Sequence, residues 1–112
     1  MTSPTPAEIS ADLATVSRWI DEGNAGRNLE AATWARLAKI SEEAGEVIAA
    51  YIGVTGQNPR KGVSHTMDDV QEELLDVAIT ALAALEHIRG HDCRSMDLLV
   101  DKIVRTKARA GL

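Results

Sequence analysis

Apolar side chains recur along this chain at spacings of three and four, the period of a helix that buries one face. The first such stretch runs from Pro6 to Glu22, with Ile9, Leu13, Val16 and Ile20 on one stripe. Thr5 is placed to cap it, Pro6 takes the first helical position and Glu8 completes a Thr-x-x-Glu capping box; Gly23 and Gly26 stop it. The second runs from Leu29 to Ile52 behind an Asn28 cap, with Trp34, Leu37, Ile40, Ser41, Ala44, Val47, Ile48 and Tyr51 in line. The third runs from Met67 to Arg89 between a Thr66 cap and Gly90. It carries two stripes: Val70, Leu74, Val77, Ala81, Leu85 and Ile88 make one, and Leu75, Ile79 and Leu82 make the other. A helix apolar on two sides is buried on two sides, which in a domain this small points to a subunit interface. The fourth runs from Met96 to Arg109 behind Ser95, with Leu99, Val100, Ile103 and Val104 expected inward and Lys102, Arg105, Lys107 and Arg109 forming a basic end. No strand alternation or internal repeat is visible. The expectation is one all-α domain over residues 1–112, a four-helix bundle, with residues 1–5 flexible and a long loop over 53–65.

Composition sharpens this reading. The 112 residues carry a formal charge of −5, which argues against a duplex nucleic-acid binder. A single cysteine, Cys93, excludes an intrachain disulfide and a multi-thiolate zinc site, and a reducing compartment fits best. No apolar run approaches a membrane span, and the N-terminal stretch has neither a basic nor an apolar leader region, so a cytoplasmic location is expected. Aromatics are scarce (Trp19, Trp34 and Tyr51, without phenylalanine), so small aliphatic residues must build the core. Trp19 and Tyr51 are expected in the core or an interface.

The placement of the acids carries the chemistry. Glu43 and Glu46 stand at i,i+3 on the second helix, and Glu73 and Asp76 at the same spacing on the third. Residues three apart share a helix face. On a helical wheel each pair flanks an apolar stripe, with Lys39 beside the first and Thr80 beside the second. If the helices pack through their stripes, both flanks border one cleft. Two carboxylates about 4 Å apart repel by roughly 4 kcal/mol at an effective dielectric near 20, and a divalent cation reverses that sign. Oxygen-only ligands suit Mg²⁺ or Mn²⁺, which hold phosphorylated substrates. Gly45, inside the first pair, costs about 1 kcal/mol relative to alanine in a helix, and points to close approach of another backbone or a ligand. A solvated acidic face is the plain alternative.

The run Lys39-Ile40-Ser41-Glu42-Glu43-Ala44-Gly45-Glu46-Val47, followed by Glu72-Glu73-Leu74-Leu75-Asp76-Val77, resembles the MazG-like nucleoside triphosphate pyrophosphohydrolases of the all-α NTP pyrophosphatase superfamily. The pattern is E-x-x-E, a spacer, then E-x-x-D; here the spacer from Val47 to Glu72 holds 26 residues. The resemblance covers Trp34 to Leu85, and Lys102 to Arg109 more loosely. It implies Mg²⁺-dependent hydrolysis of NTPs or dNTPs between the α and β phosphates by a homodimer or homotetramer. It implies metal ligands at Glu43, Glu46, Glu73 and Asp76, and an extra acid, Glu42, that activates water directly or through a neighbour. Lys39, Arg60, Lys61, Lys102 and Arg105 are the candidates for holding phosphates, with an ordinary exposed basic loop as the alternative for Arg60 and Lys61 and solubility as the alternative for Lys102 and Arg105. The Asn58-Pro59-Arg60-Lys61-Gly62 loop is placed to close over a ligand, and Trp34 either stacks on a base or belongs to the core.

Rival readings are a non-catalytic nucleotide-sensing module, a phosphoribosyl-ATP pyrophosphatase-like relative and a dUTP- or dCTP-selective one. A di-iron bundle is disfavoured, because neither acidic pair has the histidine at i+3 that such sites use. His65, His87 and His91 lack ligand spacing and are read as structural or exposed.

Overall fold

A computed structural model describes residues 2–112; Met1, where the N-terminal stretch begins, lies outside the described residues. Four helices form, α1 (Pro6–Gly23), α2 (Leu29–Thr55), α3 (Met67–Ile88) and α4 (Ser95–Arg109), and there is no strand among the described residues. The class is all-α, as the periodicity predicts. No helix among the described residues is long and apolar enough to cross a membrane.

The local signals operate as read at three helix starts. The Thr5 hydroxyl accepts the Glu8 amide at 3.2 Å and donates to the Glu8 carboxylate at 3.1 Å. The Asn28 carboxamide oxygen accepts the Ala31 amide at 2.8 Å. Thr66 and Asp69 form a reciprocal box at the head of α3. Ser95, expected to cap α4 from just before its first turn, departs from that role. It is the first residue of α4 and fully buried, and its amide is held by a Glu86 carboxylate oxygen at 2.9 Å.

The chain divides into two compact units, and each is described by itself. One unit combines the segment up to Ala32 with Leu82–Leu112. Its inward line on α1 is Ser10, Leu13, Ala14 and Ser17, with Val16 left exposed. Small residues let α1 approach closely, and the serines find donors and acceptors: Ser10 Oγ accepts the Met96 amide and Ser17 Oγ bonds His91 Nε2 at 2.8 Å. His87, buried on α3, bonds Asp21 of α1 through Nδ1 at 2.8 Å, so it is structural, as expected. On α4 Met96, Leu98 and Leu99 are partly covered, and Val100, Ile103 and Val104, expected inward, are exposed. Trp19 is 72% exposed, which corrects its core placement within this unit.

The other unit, Thr33–Ala81, holds most of α2, the first turns of α3 and the loop between them. Arg36, Glu43 and Ala50 are buried and Ile40 and Val47 half-buried, a seam that steps four and three along α2. Of the stripe expected to face inward, Ile40 and Val47 lie in this seam, but the rest is open: Trp34 is 67% exposed and Tyr51 53% exposed, with Leu37 and Ile48 also exposed. On α3, Val70 is buried and Glu73 and Val77 are half-buried, while Leu74, Leu75 and Ile79 are exposed. The reason is that α2 is apolar on two sides, and the chain buries the side that carries Glu43. Gly45 has no heavy atom near the position of an added Cβ, so no neighbouring backbone accounts for it.

Candidate metal centre

Glu43 of α2 and Glu73 and Asp76 of α3 each offer an oxygen, all within 4.8 Å of one another. Glu43 is buried, Glu73 half-buried and Asp76 exposed, so the cluster opens from the seam to solvent. Glu73 Oε2 is buried without a hydrogen-bond partner. A buried acceptor left unmatched costs on the order of 1–3 kcal/mol. Carboxylates at this separation add repulsion of roughly 3 kcal/mol per pair at an effective dielectric near 20. Both terms change sign if a hard cation sits among the oxygens, and an all-oxygen set open to solvent on one side is the environment Mg²⁺ and Mn²⁺ favour. The residues present therefore fit such an ion.

Glu46 lies one turn along α2 and feels the same field. The charge of Glu43 raises its carboxyl above the usual range, partial loss of water adds to this, and hydrogen bonding with Glu73 contributes further. Lys39 answers from the other side. Its ammonium contacts Glu42 Oε1 at 3.1 Å and Glu43 Oε1 at 3.2 Å, and these two hydrogen bonds, Glu42 first, push its pKa up. Lys39 is thus committed to two acids, and Glu42, turned to solvent, shares it with Glu43.

The raised Glu46 pKa has a defined linkage sign. The folded chain holds this proton more tightly than the unfolded chain, so the stability attached to Glu46 is present at low pH and falls as pH rises through its folded-state value, above 4.5. In EDTA, Glu46→Gln should melt above wild type at pH 7, and the gap should close as pH falls towards 4.5. Thermal melts across that range check this; a gap that widens on acidification refutes it.

The other candidates are spread more widely. Lys61 lines a cavity beside the end of α2, and Arg60 is exposed in the same loop. Lys102 and Arg105 belong to the other unit, on the exposed side of α4, where Arg105 Nε pairs with Asp101 at 2.8 Å. Trp34 stands exposed at the head of α2, which leaves stacking open and removes the core reading. Sequence reasoning missed Arg36, buried seven residues before Glu43 on the same seam, and His65, which packs against Gly53. A glycine within a helix was the available signal for His65. Compared with protein-family models, curated proteins and solved structures, the chain matches none of them.

Proposed function

We propose that the protein is a divalent-metal-dependent nucleoside triphosphate pyrophosphohydrolase, releasing nucleoside monophosphate and pyrophosphate from NTPs or dNTPs. The observation that carries this reading is the convergence of Glu43, Glu73 and Asp76, with a buried Glu73 oxygen lacking any donor. Glu43, Glu46, Glu73 and Asp76 would hold Mg²⁺ or Mn²⁺. When bound, the ion would offset charge on the phosphoryl oxygens of the substrate. Glu42 is exposed to solvent, and a carboxylate oxygen there would accept a proton from water. The Lys39 ammonium would hold Glu42 and Glu43 in orientation.

The same reading covers assembly in a four-helix pyrophosphatase arrangement. Trp34, Leu37, Ile48 and Tyr51 on α2 and Leu74, Leu75 and Ile79 on α3 leave apolar faces uncovered, and a second copy would bury them in a homodimer or homotetramer. Sedimentation in solution reads this directly.

The decisive experiment is a panel of NTPs and dNTPs with and without Mg²⁺, reading pyrophosphate against orthophosphate. Mg²⁺-dependent pyrophosphate release is expected. Nucleotide binding without turnover would instead establish a sensing module.

A further inference from the structure

We propose that the cavity between the end of α2 and the 56–66 loop is a phosphoryl-anion subsite, built on Lys61, Ser64 and His65. This deepens the hydrolase reading and rests on it for the identity of the anion: the pyrophosphate end of the triphosphate. The cavity encloses 310 Å³. Among the described residues, Lys61 is the one fully charged side chain on its wall, Ser64 and His65 add a hydroxyl and an imidazole, and no carboxylate lines it. In a chain with net charge −5, an acid-free pocket holding a lysine selects anions.

The imidazole is held in place by construction. The Gly53 carbonyl, near the end of α2, accepts the returning Ser64 amide at 2.9 Å and the His65 amide at 3.3 Å. A Cβ on residue 53 would fall onto His65 Nδ1 and within 2.8 Å of Ser64 Oγ. Glycine inside a helix costs about 1 kcal/mol, and here it admits the ring. Ser64 Oγ then meets His65 Nδ1 at 2.9 Å, which leaves Nε2 for a ligand. Asn58 braces the loop: its carbonyl accepts the Lys61 and Gly62 amides, and its side-chain oxygen accepts the Arg60 amide.

Placement ties the cavity to the acids. Glu46 and Gly53 stand seven residues apart on α2, two turns on one face and about 10 Å along the axis. Ala49, on the cavity wall, lies between them. A triphosphate engaged at the carboxylates has its distal phosphates directed along this face towards Lys61.

The test titrates EDTA-treated protein with inorganic pyrophosphate and follows the histidine ring signals by NMR. The His65 signal should move while His87 and His91 stay. Lys61→Ala and His65→Ala should each weaken binding at least 10-fold, and Gly53→Ala, which displaces the ring and keeps every charge, should do the same. In turnover, Lys61→Ala should raise KM for NTP about 10-fold with kcat within 3-fold of wild type. An unmoved His65 signal, or pyrophosphate bound as tightly by all three alanine variants, overturns the subsite. Mg²⁺-dependent pyrophosphate release by wild type is read on the same sample. Turnover with an unmoved His65 removes the subsite alone, whereas a shifted His65 without turnover removes the hydrolase reading and keeps the anion site.

Discussion

Glu73→Gln is expected to cut Mg²⁺-dependent pyrophosphate release by on the order of 100-fold or more while leaving helicity unchanged and raising the melting temperature of the protein in EDTA. The two effects have one cause. Glu73 brings a second negative charge beside Glu43 and presents a buried oxygen that no described residue satisfies. Glutamine keeps the shape, removes the repulsion and loses the charge a cation needs. Saturation at about 100 times the dissociation constant stabilises a folded protein by roughly 2.7 kcal/mol, which in a domain near this size is a shift on the order of 10 °C. Wild type should gain that shift with Mg²⁺ or Mn²⁺, and Glu73→Gln should gain almost none. Melts with and without metal, beside a pyrophosphate assay, check all of this. If Glu73 served only to hold the fold, the variant would melt lower in EDTA, the opposite sign.

Glu86→Ala is expected to be the most damaging single change to stability, costing about 3–5 kcal/mol. Glu86 is fully buried on α3, and its two carboxylate oxygens accept the Cys93 amide at 3.1 Å and the Ser95 amide at 2.9 Å. Its own carbonyl accepts the His91 amide at 2.8 Å. His91 and Cys93 both have positive φ, 61° and 60°, a region that costs side-chain-bearing residues energy and persists only where the surroundings over-determine it. One carboxylate thus holds a strained turn and the start of α4, where the Arg94 cap contributes no side-chain hydrogen bond. Alanine would leave two amides unmatched and a void. Glu86→Gln retains one good acceptor and should cost less than half as much. Urea unfolding of both variants measures the difference, and equal losses would mean that the acceptor glutamine retains contributes nothing.

Much of the local structure was legible in the residues. The caps at Thr5, Asn28 and Thr66 and the punctuation at Gly90 act within a turn of themselves, so neighbouring residues suffice to place them. The acids were legible as pairs because three-residue spacing puts them on one face whatever that face meets. Their burial was not. Hydrophobic patterning assigns carboxylates to the outside, and it therefore sent the Trp34–Tyr51 stripe inward and Glu43 to a flank. The seam takes only Ile40 and Val47 from that stripe and encloses Glu43 beside them. On α1 the same rule favoured Val16 over Ser10 and Ser17, whose hydroxyls earn their burial through partners 86 and 74 residues away in sequence.

By itself, then, the amino-acid sequence determined an all-helical chain, most of its helix ends and the acidic pairs, because each depends on interactions within about one turn. Tertiary structure alone decided which of two apolar faces of α2 is covered, that Glu43 meets Glu73 and Asp76, that Glu86 rather than Ser95 secures the head of α4, and that Gly53 exists to seat His65. Those outcomes turn on where distant backbone and polar groups arrive. A carboxylate or a glycine has no fixed preference until its partner, donor or occupant stands beside it.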